Sequence, residues 1–408
     1  MSRTARGSAC IVGVGETQYT KRGKTTESEY RLALTAILGA AADAGVSPTD
    51  IDGFTSFSDE RSGPTTLAGD LGIPELRFAS ITGMPGGGGA CAALAEAAMA
   101  VEAGQAEVVV VYRSLCQGQF TRINRMAGRA APPPPPVPSV RETADEAEAA
   151  GAMSIPFGLF GPSAMFALPM RRHMDLFGTT YDHLGEVATS TRAYANRNPR
   201  AVMGDLGMTA EQHRTARPVA DPYRLFDCCI ETDGACALIV TTAERAADAR
   251  RGAVEIVASA QGATADHIMG SALTNAGGLA ADYPTGGGRG VARRLWARAG
   301  VGPADIDVAQ LYDNFTGQVL FGLEDFGFCE PGGSGPFVAE GALRPDGALP
   351  TNTSGGNLSE AYMQGLNQVI EGFRQLRGES TSQVPDAELC LVTSCPGLPT
   401  SAVVLARS

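Results

Sequence analysis

The chain has 408 residues, 44% of them hydrophobic and 19% charged, with 51 glycines, a net charge of −12 and a pI of about 4.9. The apolar content is enough for a large core and excludes a disordered or collagen-like chain, while the length allows two or three ordinary domains. The acidic balance, with no run of Lys or Arg, argues against a general nucleic-acid or membrane-surface binder, so an anionic ligand would need a local basic patch.

Short apolar runs bounded by polar or Gly residues read as buried strands, and alanine-rich stretches between them read as helices. In chain order these are strand Ala9–Val14, helix Glu27–Ala44, helix Ala90–Ala103 and strand Glu107–Tyr112. Strands Ala235–Thr241 and Val254–Ala260 follow, then helices Gly290–Ala299 and Ser359–Leu376 and strand Glu388–Thr393. Strand and long helix alternate, which predicts an α/β layered fold.

Ala44-Gly45-Val46-Ser47-Pro48-Thr49-Asp50-Ile51-Asp52 returns as Ala299-Gly300-Val301-Gly302-Pro303-Ala304-Asp305-Ile306-Asp307, identical at seven of nine positions. In both copies a helix ends at Gly, a Pro-containing turn follows, and a strand begins after Ile-Asp. A Gly-rich entry then precedes a helix and a strand in each half: Gly86–Gly89 before Ala90–Ala103, and Gly355-Gly356 before Ser359–Leu376. Two copies mean a duplicated α/β domain, not a solenoid. The division expected is 1–250 for the N-terminal half and 251–408 for the C-terminal half. The first half carries an irregular insertion, about 115–220, that contains the proline run Pro132–Pro136 and the acidic stretch Glu142–Glu148. Such a segment reads as a lid or binding insertion, with its Pro-rich piece a spacer.

Met1–Gly7 is short and polar and lacks the apolar region of a signal peptide. No stretch of about 18 apolar residues occurs, so no transmembrane helix is expected. Nine scattered cysteines with no Cys-x-x-Cys, and only four histidines, fit a reducing cytosol and leave no pattern for a zinc site. A cytoplasmic chain without a metal is the expectation.

Several further stretches resemble the thiolase superfamily in its sterol-carrier or lipid-transfer branch. They are Gly13-Val14-Gly15-Glu16-Thr17, Tyr223-Arg224-Leu225-Phe226-Asp227-Cys228-Cys229 and Thr232-Asp233-Gly234-Ala235 in the first half. In the second half they are Tyr312-Asp313-Asn314-Phe315, Asn352-Thr353-Ser354-Gly355-Gly356 and Cys395-Pro396-Gly397. The resemblance spans nearly the whole chain. It implies a thiolase fold, a duplicated five-layer αβαβα arrangement with a loop insertion in the first half, usually dimeric.

The chain departs from that family where the chemistry lies. The family's nucleophilic Cys falls at about Gly87, inside Pro85-Gly86-Gly87-Gly88-Gly89, and Cys91, a turn further on, reads as a small buried helix residue. Tyr362, in Ser359-Glu360-Ala361-Tyr362-Met363-Gln364-Gly365, stands where the family has its histidine. Loss of both disfavours acyl-enzyme chemistry.

The branch resembled best is the steroid side-chain retro-aldolases, which carry tyrosines at these places. That likeness implies cleavage of a β-hydroxyacyl-CoA from steroid or cholesterol degradation, such as a 17-hydroxy steroid side-chain CoA thioester, to a ketone and propionyl-CoA or acetyl-CoA. It also implies a DUF35 partner with an OB-fold and a zinc ribbon, a homodimer within a heterotetramer, and no cofactor beyond the CoA of the substrate.

Tyr312 and Tyr362 are the expected general base and general acid, in either order, with the base as a phenolate held by nearby positive charge or donors. Asp313 and Asn314 either orient the site or cap the next helix. Cys395 lines the site by inheritance or takes part in the chemistry. The CoA-binding candidates are Gly355, Gly356, Gly397 and Gly287, the last within Gly286-Gly287-Gly288-Arg289-Gly290 at a helix start. Phe157, Leu159, Phe160, Met165, Phe166 and Leu168 of the insertion would line a sterol-sized pocket or a partner interface. The alternatives are a thiolase or acyltransferase using Cys91 or Cys395, and a non-catalytic acyl-CoA-binding scaffold.

Overall fold

The computed structural model describes residues 9–83, 86–119, 161–247, 251–263, 288–395 and 400–408, with a few single positions between these spans. Nine strands build the sheet: β1 Ala9–Glu16, β2 Gly53–Phe57, β3 Phe78–Thr82, β4 Val108–Cys116, β5 Thr232–Thr242, β6 Val254–Gly262, β7 Val308–Gln310, β8 Leu389–Thr393 and β9 Thr400–Arg407. Short Thr20–Lys21 adds a tenth, paired to β5. The order across the sheet is β7-β8-β9-β6-β1-β5-β4-β2-β3. Outward from the centre the first half runs β1, β5, β4, β2 and the second half runs β6, β9, β8, β7 in the matching sequence, with β3 added at the outer edge of the first half. The halves meet where β1 pairs antiparallel with β6, Cys10 opposite Glu255 and Ile11 opposite Val254.

The repeated nonapeptide has the same structure twice. Helix α1, Glu29–Ala44, ends at Gly45 with φ 74°, and helix α5, Arg289–Ala299, ends at Gly300 with φ 70°. Each Pro-containing turn is a single 3-10 turn, Pro48–Asp50 or Pro303–Asp305. Each closing Asp then ties down the neighbouring parallel strand. Asp52 accepts from Glu107 N at 2.9 Å and Val108 N at 2.8 Å, and Asp307 accepts from Glu388 N at 2.8 Å and Leu389 N at 2.9 Å.

Five layers result. Helices α2, Ala90–Glu102, and α7, Leu366–Arg377, are buried on nearly every face and share one core with strands of both halves. Helix α1 covers the outer face of the first half through Leu32, Ala36, Ile37 and Ala40. It lies directly on β1, where a Cβ at Gly15 would stand 2.2 Å from Ala36 O. Helices α5 and α6, Thr316–Asp325, cover the second half. The described part of the insertion supplies α3, Pro162–Phe177, and α4, Tyr181–Ala195. These pack on the outer layer of the second half, through Phe166, Met170, Leu184 and Val187. The proline run and the acidic stretch lie outside the described residues.

One expected helix is interrupted. In place of Ser359–Leu376 there is a π-helical turn, Gly356–Glu360, then extended Ala361 at φ −164°, a bend through Gln364 and Gly365, and only then α7.

Candidate active site

The interruption carries Tyr362 into a cleft. Thr232 Oγ1 accepts from Tyr362 N at 3.1 Å and donates to Tyr362 O at 3.2 Å, so β5 takes the place of helical partners there. Tyr312 arrives from the end of β7, its N held by Thr393 Oγ1 at 3.1 Å. The Tyr312 hydroxyl donates to the Tyr362 hydroxyl at 3.3 Å. Tyr312 is 1% exposed, while Tyr362 is half-buried and lines the cleft.

Residue 87 explains how Tyr312 fits. A Cβ there would lie 1.8 Å from the Tyr312 hydroxyl oxygen and 1.9 Å from Cζ. Gly365, at φ 92°, lies against the other part of the ring, 3.0 Å from Cδ2 by the same construction. The phenol therefore fills the space that a nucleophile's side chain at position 87 would need.

The cleft holds about 430 Å³. Leu115, Val219, Ile230 and Phe315 give it an apolar side, and Asn314, Gln364 and the Arg22–Glu231 and Arg61–Asp59 pairs give it polar positions. Of the insertion residues expected in this wall, Phe166 stands behind it, its ring 5.4 Å from that of Phe315, and Leu168 points to solvent at 49% exposure. Phe157 and Phe160 lie outside the described residues.

The surroundings of the tyrosines disfavour the phenolate expected to be held by positive charge or donors. Burial pushes both phenols up, Tyr312 with Tyr362 beside it and Tyr362 with Cys229 beside it. The Tyr312 hydroxyl and the Arg113 charge oppose the shift at Tyr362 without cancelling it. A resting phenolate at neutral pH is thus corrected to a pair of neutral, hydrogen-bonded phenols.

Asp313 and Asn314 do not cap the following helix; Phe315 occupies that N-cap without a side-chain bond. The fully buried Asp313 carboxylate instead accepts from Asn357 N at 2.8 Å, Leu358 N at 3.3 Å and Gln368 Nε2 at 3.0 Å. Burial raises it to about 7 against those donors. Gly356 is required there, since its Cβ would stand 2.2 Å from Asp313 Oδ2, and Gly355 packs on Ala195. Both glycines brace the turn beneath the cleft and neither lines it. Asn314 does line it: its backbone O accepts from Cys229 N at 2.8 Å, and its buried Oδ1 has no hydrogen-bond partner. Gly287 and Gly397 lie outside the described residues.

Cys395 is buried beside the tyrosines, its N donating to Gly87 O at 3.0 Å and its thiol pushed up by burial. Cys91 is buried in α2, its thiol raised to about 12 by burial and its Sγ 3.5 Å from Val392 O. Neither lines the cleft. Cys229, which stands in a motif but was not an expected site residue, does line it, and sequence reasoning missed Arg113 behind the cleft wall. The available signal for Arg113 was one charged residue closing the apolar run Val108–Tyr112.

Residues 272–406 match the family described as Thiolase C-terminal domain-like. The chain is 42% identical to the 17-hydroxy-3-oxo-4-pregnene-20-carboxyl-CoA lyase of Mycobacterium tuberculosis, over 98% of this chain and 99% of that protein. It belongs to the steroid side-chain-cleaving aldolases of the thiolase superfamily. A steroid side-chain-cleaving aldolase of Thermomonospora curvata is 40% identical over 98% of each chain. The solved Ltp2-ChsH2(DUF35) aldolase superposes with a TM-score of 0.87 at 37% identity, covering 99% of this chain and 98% of that one. The human mitochondrial 3-ketoacyl-CoA thiolase shares the fold, with a TM-score of 0.68 at 14% identity over 99% of this chain. Among the described residues no helix is long and apolar enough to cross a membrane.

Proposed function

We propose that this aldolase splits the Cα–Cβ bond of a β-hydroxyacyl-CoA on a steroid side chain, a 17-hydroxy-3-oxo-pregnene carboxyl-CoA, with a tyrosine pair in place of a cysteine nucleophile. The observation that carries this reading is the Tyr312–Tyr362 hydroxyl pair at 3.3 Å, with the Tyr312 ring in the space that a side chain at 87 would occupy. Tyr362, the member in the cleft wall, meets the substrate, and Tyr312 supports it from behind.

The substrate's 17-hydroxyl gives its proton to the phenol pair as its oxygen becomes the ring ketone. The Cα–Cβ electron pair moves into the thioester as an enolate. The pair returns a proton to Cα, releasing propionyl-CoA. Because one proton enters as another leaves, no free phenolate has to persist where burial disfavours it. No oxidant, metal or cofactor is consumed. The apolar side of the cleft, Leu115, Val219, Ile230 and Phe315, suits steroid rings.

The likeness to the Ltp2-ChsH2(DUF35) aldolase supports a DUF35 protein as partner. Nine cysteines without a disulfide among them support a reducing, cytoplasmic setting.

The test is turnover of the CoA thioester by the chain co-purified with its DUF35 partner, with short acyl-CoA products followed chromatographically. Tyr362→Phe should lose roughly 10²–10⁴-fold in kcat while still binding substrate, the range for one acid–base group. Unchanged turnover in Tyr362→Phe would remove the tyrosine from the mechanism.

A further inference from the structure

Gln364 has a side chain whose orientation is dictated from outside the cleft. Its Oε1 accepts from Arg113 Nε at 2.8 Å. Arg113 is fully buried, and its other nitrogens are taken, Nη1 by Glu60 at 3.2 Å and Nη2 by Asp59 at 2.5 Å. A guanidinium only donates, so the amide oxygen must be the atom facing Arg113. The amide NH₂ is then left on the cleft side, where Gln364 forms part of the wall next to Tyr362, and it meets no acceptor among the described residues.

The backbone agrees with this placement. Gln364 is a non-glycine residue at φ 53°, in the left-handed region. Such a conformation has a free-energy cost and persists only where the surroundings impose it, often at a working site. Here the Arg113 bond on one side and the turn into α7 on the other impose it.

We propose that Gln364 is the hydrogen-bond donor to the thioester oxygen that becomes the enolate oxygen during Cα–Cβ cleavage, with Arg113 as its positioning residue. A donor polarised by a buried cation and held before the reaction starts needs no reorganisation as negative charge develops. The inference rests on the tyrosine-pair reading above, since the enolate exists only if that bond breaks.

The experiment uses the complex with the DUF35 partner and the 17-hydroxy-3-oxo-pregnene carboxyl-CoA, with Gln364→Met, Gln364→Glu and Tyr362→Phe in parallel. Gln364→Met removes the donor at similar size and should lower kcat by about 10²–10³-fold with KM changed by less than about threefold. Gln364→Glu keeps an acceptor for Arg113, and with it the loop, but has no donor. It should be at least as impaired, which a purely structural role would not predict. If Gln364→Met misfolds, Gln364→Glu alone decides. Wild-type kcat in either folded variant, or a loss confined to KM, overturns the inference. If Tyr362→Phe turns over normally, the tyrosine reading itself fails, whatever the Gln364 variants do.

Discussion

Tyr312 and a side chain at position 87 compete for one volume. With a Cβ at 87 placed 1.8 Å from the Tyr312 hydroxyl oxygen, the ring has to move or the backbone has to shift. Gly87→Ala should therefore cost about 1–3 kcal/mol in denaturant unfolding, as overpacked cores do, and should lower kcat by displacing the phenol pair. Full activity and wild-type stability in this variant would show that Tyr312 can leave its place freely. The absence of a cysteine at 87 and the tyrosine at 312 are readable one at a time. That the two positions share one volume is not, because 225 positions separate them.

The segment between Gly356 and α7 is where local propensity misleads. Ser359-Glu360-Ala361-Tyr362-Met363-Gln364 contains good helix formers, and only Gly365 signals a stop. Partners outside the segment override it, Asn198 and Thr232 from far along the chain. Glu360 accepts from Asn198 Nδ2 at 2.8 Å, Ser354 Oγ at 2.7 Å and Asn367 Nδ2 at 3.2 Å, and Thr232 binds both backbone groups of Tyr362. Glu360 of this element and Asp313, which holds its Asn357 and Leu358 N–H groups, also set a pH response. Burial raises Asp313 to about 7, and burial with Glu16 and Glu371 nearby raises Glu360. A carboxyl whose pKa is higher folded than unfolded contributes stability that is complete below its unfolded value and lost as pH rises through its folded value. The melting temperature should accordingly fall from about pH 5 to about pH 8. A calorimetric series that stays level or rises over that interval would contradict the raised values.

Across the whole molecule the duplication organises the core. Asp52 and Asp307 are equivalent clamps in opposite halves, each holding two backbone N–H groups at the start of a parallel strand. Asp52→Ala and Asp307→Ala should each cost about 1–3 kcal/mol, the range for leaving such donors unmet. The double variant should cost their sum, because the two sites share no partner. Equilibrium unfolding of the three variants checks this, and a marked departure from additivity would mean that the halves are coupled through the clamps. The repeat was legible because each copy is a local signal: a left-handed Gly, a Pro turn and an Asp within nine residues. Five strands were legible from their short apolar runs and two more from the Ile-Asp that precedes them, whereas β3 and β9 were not expected. The order of residues along the chain is thus sufficient for the α/β class, the duplication and the choice of Tyr312 and Tyr362 as candidates. It is insufficient for the site itself, which gathers Gly87, Arg113, Tyr312, Tyr362 and Gln364 from separate elements of both halves. Ring packing, amide orientation and the charge state of a phenol depend on neighbours brought together by burial, and only the folded core supplies those neighbours.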